Sequence, residues 1–205
     1  MKQQLTEHYV FSPVSSQVEL FNNALVADFL LPWATTEPDL RHVETTGPIW
    51  RYEHRGKPRE AIVPMTVVNW RGIRSYWDVV DSRVKVPLSV AVKRSRAGEE
   101  GTSYRLFDTV FIEANLIEHR NRSSAFYMLN NARDWDSAAV ETDILMAIAE
   151  GPKTIAALSA SAGHSVHRVK VAAIRLWKRS LVKLPIKSRL LGDSWLVSGG
   201  GHGNR

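Results

Sequence analysis

Between Asp136 and Ser180 the apolar periodicity is cut twice, by Gly151-Pro152 and by Gly163, and that punctuation limits what the segment can become. A helix does not run through Gly-Pro, because proline lacks an N–H and pushes the residue before it out of the helical region. A glycine at a helix end supplies the left-handed turn that other residues resist. Three short helices are therefore expected: 137–150, 154–162 with Ile155 and Leu158 turned inward, and a third capped by Ser165 and running to about Ser180. In the third, Val166, Val169, Ala173, Leu176 and Trp177 form one apolar stripe. Residues 181–197 then read as a strand, a basic turn region and a second strand.

Three helices followed by a hairpin spell an α+β winged helix-turn-helix domain over 136–198, with 199–205 as a flexible glycine-rich tail. Charge distribution supports a polyanionic partner for it. The whole chain is +6, but residues 1–150 hold 17 basic and 20 acidic side chains, whereas 151–205 hold 10 basic and one acidic, Asp193. Opposite the apolar stripe, the third helix offers Ser165, His167, Arg168, Lys170 and Arg175, with Lys178 near its end. Polar groups in the first turn suit base edges, and the later cations suit phosphates. Lys187 and Arg189, in the wing, would meet a flanking groove or backbone, so double-stranded DNA is the expected partner. His164 and His167 lie three apart with neither a cysteine nor a sequence-adjacent carboxylate, and no metal site is assigned to them.

Residues 1–135 have another texture, an α/β layer domain. Ser16 with Glu19 has capping-box spacing, and Val18, Phe21, Leu25 and Phe29 recur at helical intervals up to Pro32, which predicts a helix over 16–31. Three β-rich runs follow, 49–53, 61–70 and 76–80, separated by the polar turn His54-Arg55-Gly56-Lys57-Pro58 and by Arg71-Gly72. A helix over 83–97, a strand over 104–111 and a helix over 112–132 complete the order. Cysteine is absent, which removes disulfides, thiolate nucleophiles and cysteine-ligated metals. No segment approaches the roughly 20 apolar residues of a membrane span, so a cytoplasmic protein is expected.

The order of features resembles the TnsA-type transposon endonuclease family. Ser15-Ser16-Gln17-Val18-Glu19 is similar to that family's glutamate-bearing helix, Gly47-Pro48-Ile49 to its first strand, Val63-Pro64-Met65 to its Pro-Asp strand, and 71–80 to its Glu-x-Lys strand. The resemblance implies a restriction-endonuclease-like domain with a mixed sheet and a PD-(D/E)xK site. Such sites hold divalent ions between carboxylates, and a lysine stabilises the developing anion. By this alignment Glu19 and Asp78 remain, while Met65 stands at the aspartate and Val80 at the lysine. An alternative frame takes Lys93 as the lysine, and Glu44, Glu60 or Asp81 as a migrated acid.

A degenerate site implies a catalytically inactive pseudonuclease with no cofactor, acting as a DNA-binding accessory protein of a mobile element or phage. The resemblance also implies a transposase or another element-encoded protein as partner, and a homodimer. The rivals are an active endonuclease with a rearranged site, which would need Mg²⁺, a transcriptional regulator, and a protein-interaction module without DNA affinity.

Overall fold

Contacts in the computed structural model divide the chain into two units, Met1–Thr35 with Asp39–Asn115, and Thr36–Pro38 with Leu116–Arg205. The boundary, expected at residue 135, falls between Asn115 and Leu116. The structure describes residues 8–12, 17–21 and 23–200, with side chains from residue 23 onward. Architecture is mixed α/β: one sheet contains both parallel and antiparallel pairs, and helices accompany it.

In the first unit, β1 (His8–Ser12) and β2 (Gln17–Phe21) form an antiparallel hairpin. The helix expected over 16–31 is thus corrected: its first turns are strand, and Glu19 sits on β2, paired with Val10. Its side chain lies outside the described residues, as does Ser16. The helix begins instead at Asn23, whose Oδ1 accepts the Leu25 N–H at 2.9 Å. It then passes through Pro32, which had been read as its stop. A π turn over Val26–Leu30, in which the Leu31 N–H bonds to the Val26 carbonyl, leads into α1 (Leu31–Thr36).

Four strands make the main sheet, in the order β3-β6-β7-β8: β3 (Leu40–Glu44), β6 (Met65–Asn69), β7 (Arg74–Val80) and β8 (Ser103–Asp108). β6 is antiparallel to both β3 and β7, and β8 returns parallel to β7 after α2 (Leu88–Glu99). β4 (Ile49–His54) and β5 (Lys57–Ile62) form a separate two-stranded hairpin. Pro87, expected inside the helix, is its N-cap at φ −61° and ψ 144°. The segment 112–132 breaks at Asn115 into α3 (Thr109–Ala114) and α4 (Leu116–Asn131).

Both faces of the sheet are covered. On one, Phe29 and Trp33 of the first helix meet Phe107 and Phe111, and Phe107 meets Trp77, with ring centroids 5.1–6.4 Å apart. On the other, Ala97 of α2 packs with Tyr76 and Val63, with Trp50 and Tyr104 alongside.

The second unit contains α4, α5 (Ala138–Ala149), β9 (Lys153–Thr154), α6 (Ile155–Ala162), α7 (Val166–Lys178), β10 (Val182–Lys183) and β11 (Leu196–Gly199). Local chemistry explains the boundaries. Gly151 (φ +133°) and Gly163 (φ +67°) adopt the backbone that L side chains resist. Thr154 caps α6 by accepting the Ala157 N–H, and Ser165 caps α7 by accepting the Arg168 N–H. The core is continuous from Val140, Ile144 and Ile148 of α5 through Leu158 and Leu176 to Trp195 and Val197, and Ala125 and Leu129 of α4 join it. Each fully buried Leu or Ile there contributes roughly 1.5–3 kcal/mol.

A third strand, β9, extends the expected hairpin into a sheet of order β10-β11-β9. Two residues of the tail expected over 199–205 are structured. Gly199 pairs with Val182, and the Gly200 N–H donates to the Leu181 carbonyl at 2.9 Å, while 201–205 lie outside the described residues.

Candidate functional site

Two places carry chemistry, one in each unit. In the first, Asp78 stands on the middle of β7 and is 4% exposed. Its Oδ2 accepts from Lys93 Nζ at 2.7 Å and from the Tyr104 hydroxyl at 2.6 Å, and its Oδ1 accepts from the Val79 N–H at 2.8 Å. β7, α2 and β8 thus each supply one member. Lys93 is also buried, on the inward side of α2, and its ammonium fills the position on the carboxylate that a bound cation would take. Burial first, and then the charge of Asp78, push the Tyr104 hydroxyl far above its ordinary pKa, so it acts as a donor throughout the neutral range.

Sequence reasoning held Asp78 and Lys93 as members of two rival frames, and the fold brings them together. It does not bring Met65 to them. Met65 pairs across the strands with Trp77, so it shares the Trp77 face, and alternation puts Asp78 on the other. Met65 is therefore corrected as the counterpart of a missing acid beside Asp78. Val80, two residues from Asp78, shares its face and is half-buried. Glu44 also lies on that face, through its pairing with Thr66, but it is two strands away and 3.5 Å from His42. Glu60 is on the separate hairpin, 3.6 Å from Arg51. Asp81 is engaged by Arg83, whose hydrogen bonds hold its carboxyl down at about 2. Among the described residues no three metal-ligating side chains gather.

In the second unit, the first turn of α7 is open. Ser165, His167 and Arg168 are exposed, and the Arg168 guanidinium lies 5.2 Å from the centre of the Trp135 ring. Further along, the expected binding side closes. Val171 and Ile174 fall on the same side as His167 and Lys178 by helical spacing, yet they are 0% and 1% exposed. Arg175 faces inward as a structural clamp, donating to the carbonyls of Ala132 and Trp135 and to Ser137 Oγ at 2.6–2.7 Å. Burial also lowers the pKa of Lys178. Both are corrected: Arg175 ties α7 to the segment before α5, and Lys178 is half-buried on the closed side, so neither stands on an open face. Lys170 lies between the groups, 2.6 Å from Asp193.

The segment between β10 and β11 is positioned by α4. Asn121 of α4, 1% exposed, donates through Nδ2 to the carbonyls of Ile186 and Arg189 and accepts the Leu191 N–H on Oδ1, at 2.6–2.7 Å. Trp195 Nε1 adds a bond to the Arg189 carbonyl at 3.2 Å. Lys187 and Arg189 are exposed on the loop so held, Lys187 at 3.9 Å from Glu118. Nothing in the local sequence around Asn121 announces this role, because its partners are more than 60 residues away. His164 likewise has a carboxylate that spacing does not reveal, Asp143 at 2.8 Å.

Neither any protein-family model nor any curated protein sequence matches this chain. Its function is therefore argued from these two places. No helix among the described residues is long and apolar enough to cross a membrane.

Proposed function

We propose that the second unit is a winged helix-turn-helix that binds duplex DNA. We read the first as a catalytically inactive restriction-endonuclease-like domain of the TnsA type, so that the chain serves as a DNA-binding accessory of a mobile element or phage. The observation that carries the reading is the pairing of an open, basic first turn on α7 with a wing whose cations are held in place. Ser165, His167 and Arg168 would approach base edges, and Lys187 and Arg189 the backbone. The order α5-β9-α6-α7-β10-β11 supports it. Inactivity is supported by Asp78, whose carboxylate is committed to Lys93 and Tyr104. A transposase or other element-encoded partner and self-association belong to the same reading.

Fluorescence anisotropy with a labelled duplex tests it on the full chain. Affinity should fall steeply with salt through counterion release, and Arg168→Ala should weaken binding by about 1–3 kcal/mol if it reads a base. Absent or salt-insensitive binding overturns the proposal.

One observation favours an active endonuclease: an acid and a lysine, Asp78 and Lys93, stand in contact on a central strand and its neighbouring helix. Supercoiled plasmid with Mg²⁺ or Mn²⁺ decides between the two. Metal-dependent nicking that is lost in an Asp78→Asn variant still folded by circular dichroism would favour the second reading, and intact plasmid the first.

A further inference from the structure

The β4–β5 hairpin plays no part in either site, yet its base is fixed and its outer half is open. At the base, Trp50 Nε1 donates to Glu100 at 3.0 Å, the Trp50 ring meets Tyr76 edge-on at 5.6 Å, and Ala61 is fully buried. The Gly47 N–H donates to the Val63 carbonyl where the strands enter, so close that a Cβ on Gly47 would stand 2.5 Å from that oxygen. Beyond this root, every residue from 53 to 60 is exposed. The turn at Arg55 (φ +53°) and Gly56 (φ +71°) has positive φ at both central positions, the two-residue form whose twist matches the strands.

Register then sorts the charges. Tyr52 pairs with Arg59 and His54 with Lys57, so these four share one face. That face carries no acidic residue. Glu53 and Glu60 point to the opposite side, where Glu60 lies 3.6 Å from Arg51. A unit whose charges nearly balance, 14 basic against 13 acidic side chains, thus presents one ribbon face with two cations, a histidine and a phenol, and Arg55 at its tip.

We infer that this face is a second duplex-DNA contact, in which Lys57, Arg59 and Arg55 neutralise backbone phosphates. The dimensions fit: two strands about 4.8 Å apart enter a major groove about 12 Å wide. Side chains two residues apart along one strand are separated by about 6.8 Å, so the face offers a row of donors rather than a point charge. Trp50 shares this face but is held at the root against Tyr76, so the open part offers only Tyr52 and His54 as rings, a short stacking ladder for unpaired bases, which favours duplex over single strands. The inference rests on the proposed function only for the identity of the ligand.

The test uses the full chain and a labelled duplex, comparing wild type, Lys57→Ala/Arg59→Ala and Arg168→Ala across a salt series. The hairpin variant should bind on the order of ten-fold more weakly at low salt, with a salt slope reduced by about two. Amine-reactive labelling of the wild-type chain, read by mass spectrometry, supplies a measurement independent of any variant's folding: the duplex should protect Lys57. Unchanged affinity and slope together with full labelling of Lys57 under saturating duplex overturn the inference. If only Arg168→Ala weakens binding, the α7 reading stands and the hairpin inference falls. If only the hairpin variant weakens it, the reverse holds. No binding of duplex, or displacement of duplex by single-stranded competitor at equal concentration, overturns the assignment to duplex DNA.

Discussion

The two units each contain an Asp–Lys contact of nearly the same length, Lys93–Asp78 at 2.7 Å and Lys170–Asp193 at 2.6 Å. Their surroundings differ. The Lys93 and Asp78 side chains are 10% and 6% exposed, whereas Lys170 and Asp193 are 19% and 59% exposed. Length alone therefore says little about what a pair does. In a buried pair, removing one partner strands an uncompensated charge, and Asp78 is further tied by Tyr104 and its own strand. In the half-open pair, water reaches the carboxylate, and a phosphate can compete for the ammonium. The first is a fastener between β7, α2 and β8, and the second is an exchangeable contact beside the proposed DNA face.

The largest effect should come from breaking the buried pair. Lys93→Met alone should destabilise the protein by about 3–5 kcal/mol in urea unfolding, and adding Asp78→Asn should recover part of that loss, since no unpaired charge then remains. If the single variant unfolds at the wild-type midpoint, the pair is not the fastener described.

Next in size is Asn121→Ala, which removes three hydrogen bonds between α4 and the segment joining β10 to β11. A loss on the order of 2–3 kcal/mol is expected, because buried backbone groups lose their partners. Amide exchange at Leu191 should rise by more than exchange in α5, and equal acceleration everywhere would point to global unfolding instead.

Opening the half-exposed pair should act in the opposite direction on function. Asp193→Asn should alter stability by less than about 1 kcal/mol while strengthening duplex binding several-fold, because it releases Lys170 and removes a negative charge from the face. Weaker binding in this variant would assign Asp193 a positioning role.

The smallest effect concerns Asp81, an ion pair outside both. Its carboxyl is held at about 2 by hydrogen bonds from Arg83, below the ordinary 3.8. A carboxyl lowered in the folded state stabilises it above pH 3.8, and the contribution is lost as pH falls toward 2. Asp81→Asn should therefore flatten the acid limb of the stability profile slightly and leave neutral pH almost untouched. An identical acid limb would mean that the pair persists in the unfolded chain.

Particular residues show how far the sequence could be read. Gly151, Gly163 and Ser165 act within four residues of themselves, so the three C-terminal helices were legible with two stops and one cap, while Thr154, read as helical, is the cap of α6. Capping logic failed at Ser16–Glu19 because a strand partner, His8–Ser12, took the segment into a hairpin. Pro32 failed as a stop because a π turn shifts the hydrogen bonds by one residue ahead of it. The basic side of α7 was read from spacing alone, and spacing does not show that Val171 and Ile174 are buried there or that Arg175 turns inward.

What the sequence determined by itself is therefore what short-range physics decides: helix ends, the apolar stripe of α7, the turn at Arg55-Gly56 and the charge excess after residue 150. Tertiary structure alone decided which of those charges face outward. Met65 and Asp78 part because strand alternation is a parity, and a one-residue difference in register reverses the face. Asp78 and Lys93 meet because α2 folds back over its own sheet, a contact whose stability comes from burial rather than from any preference in the residues between them.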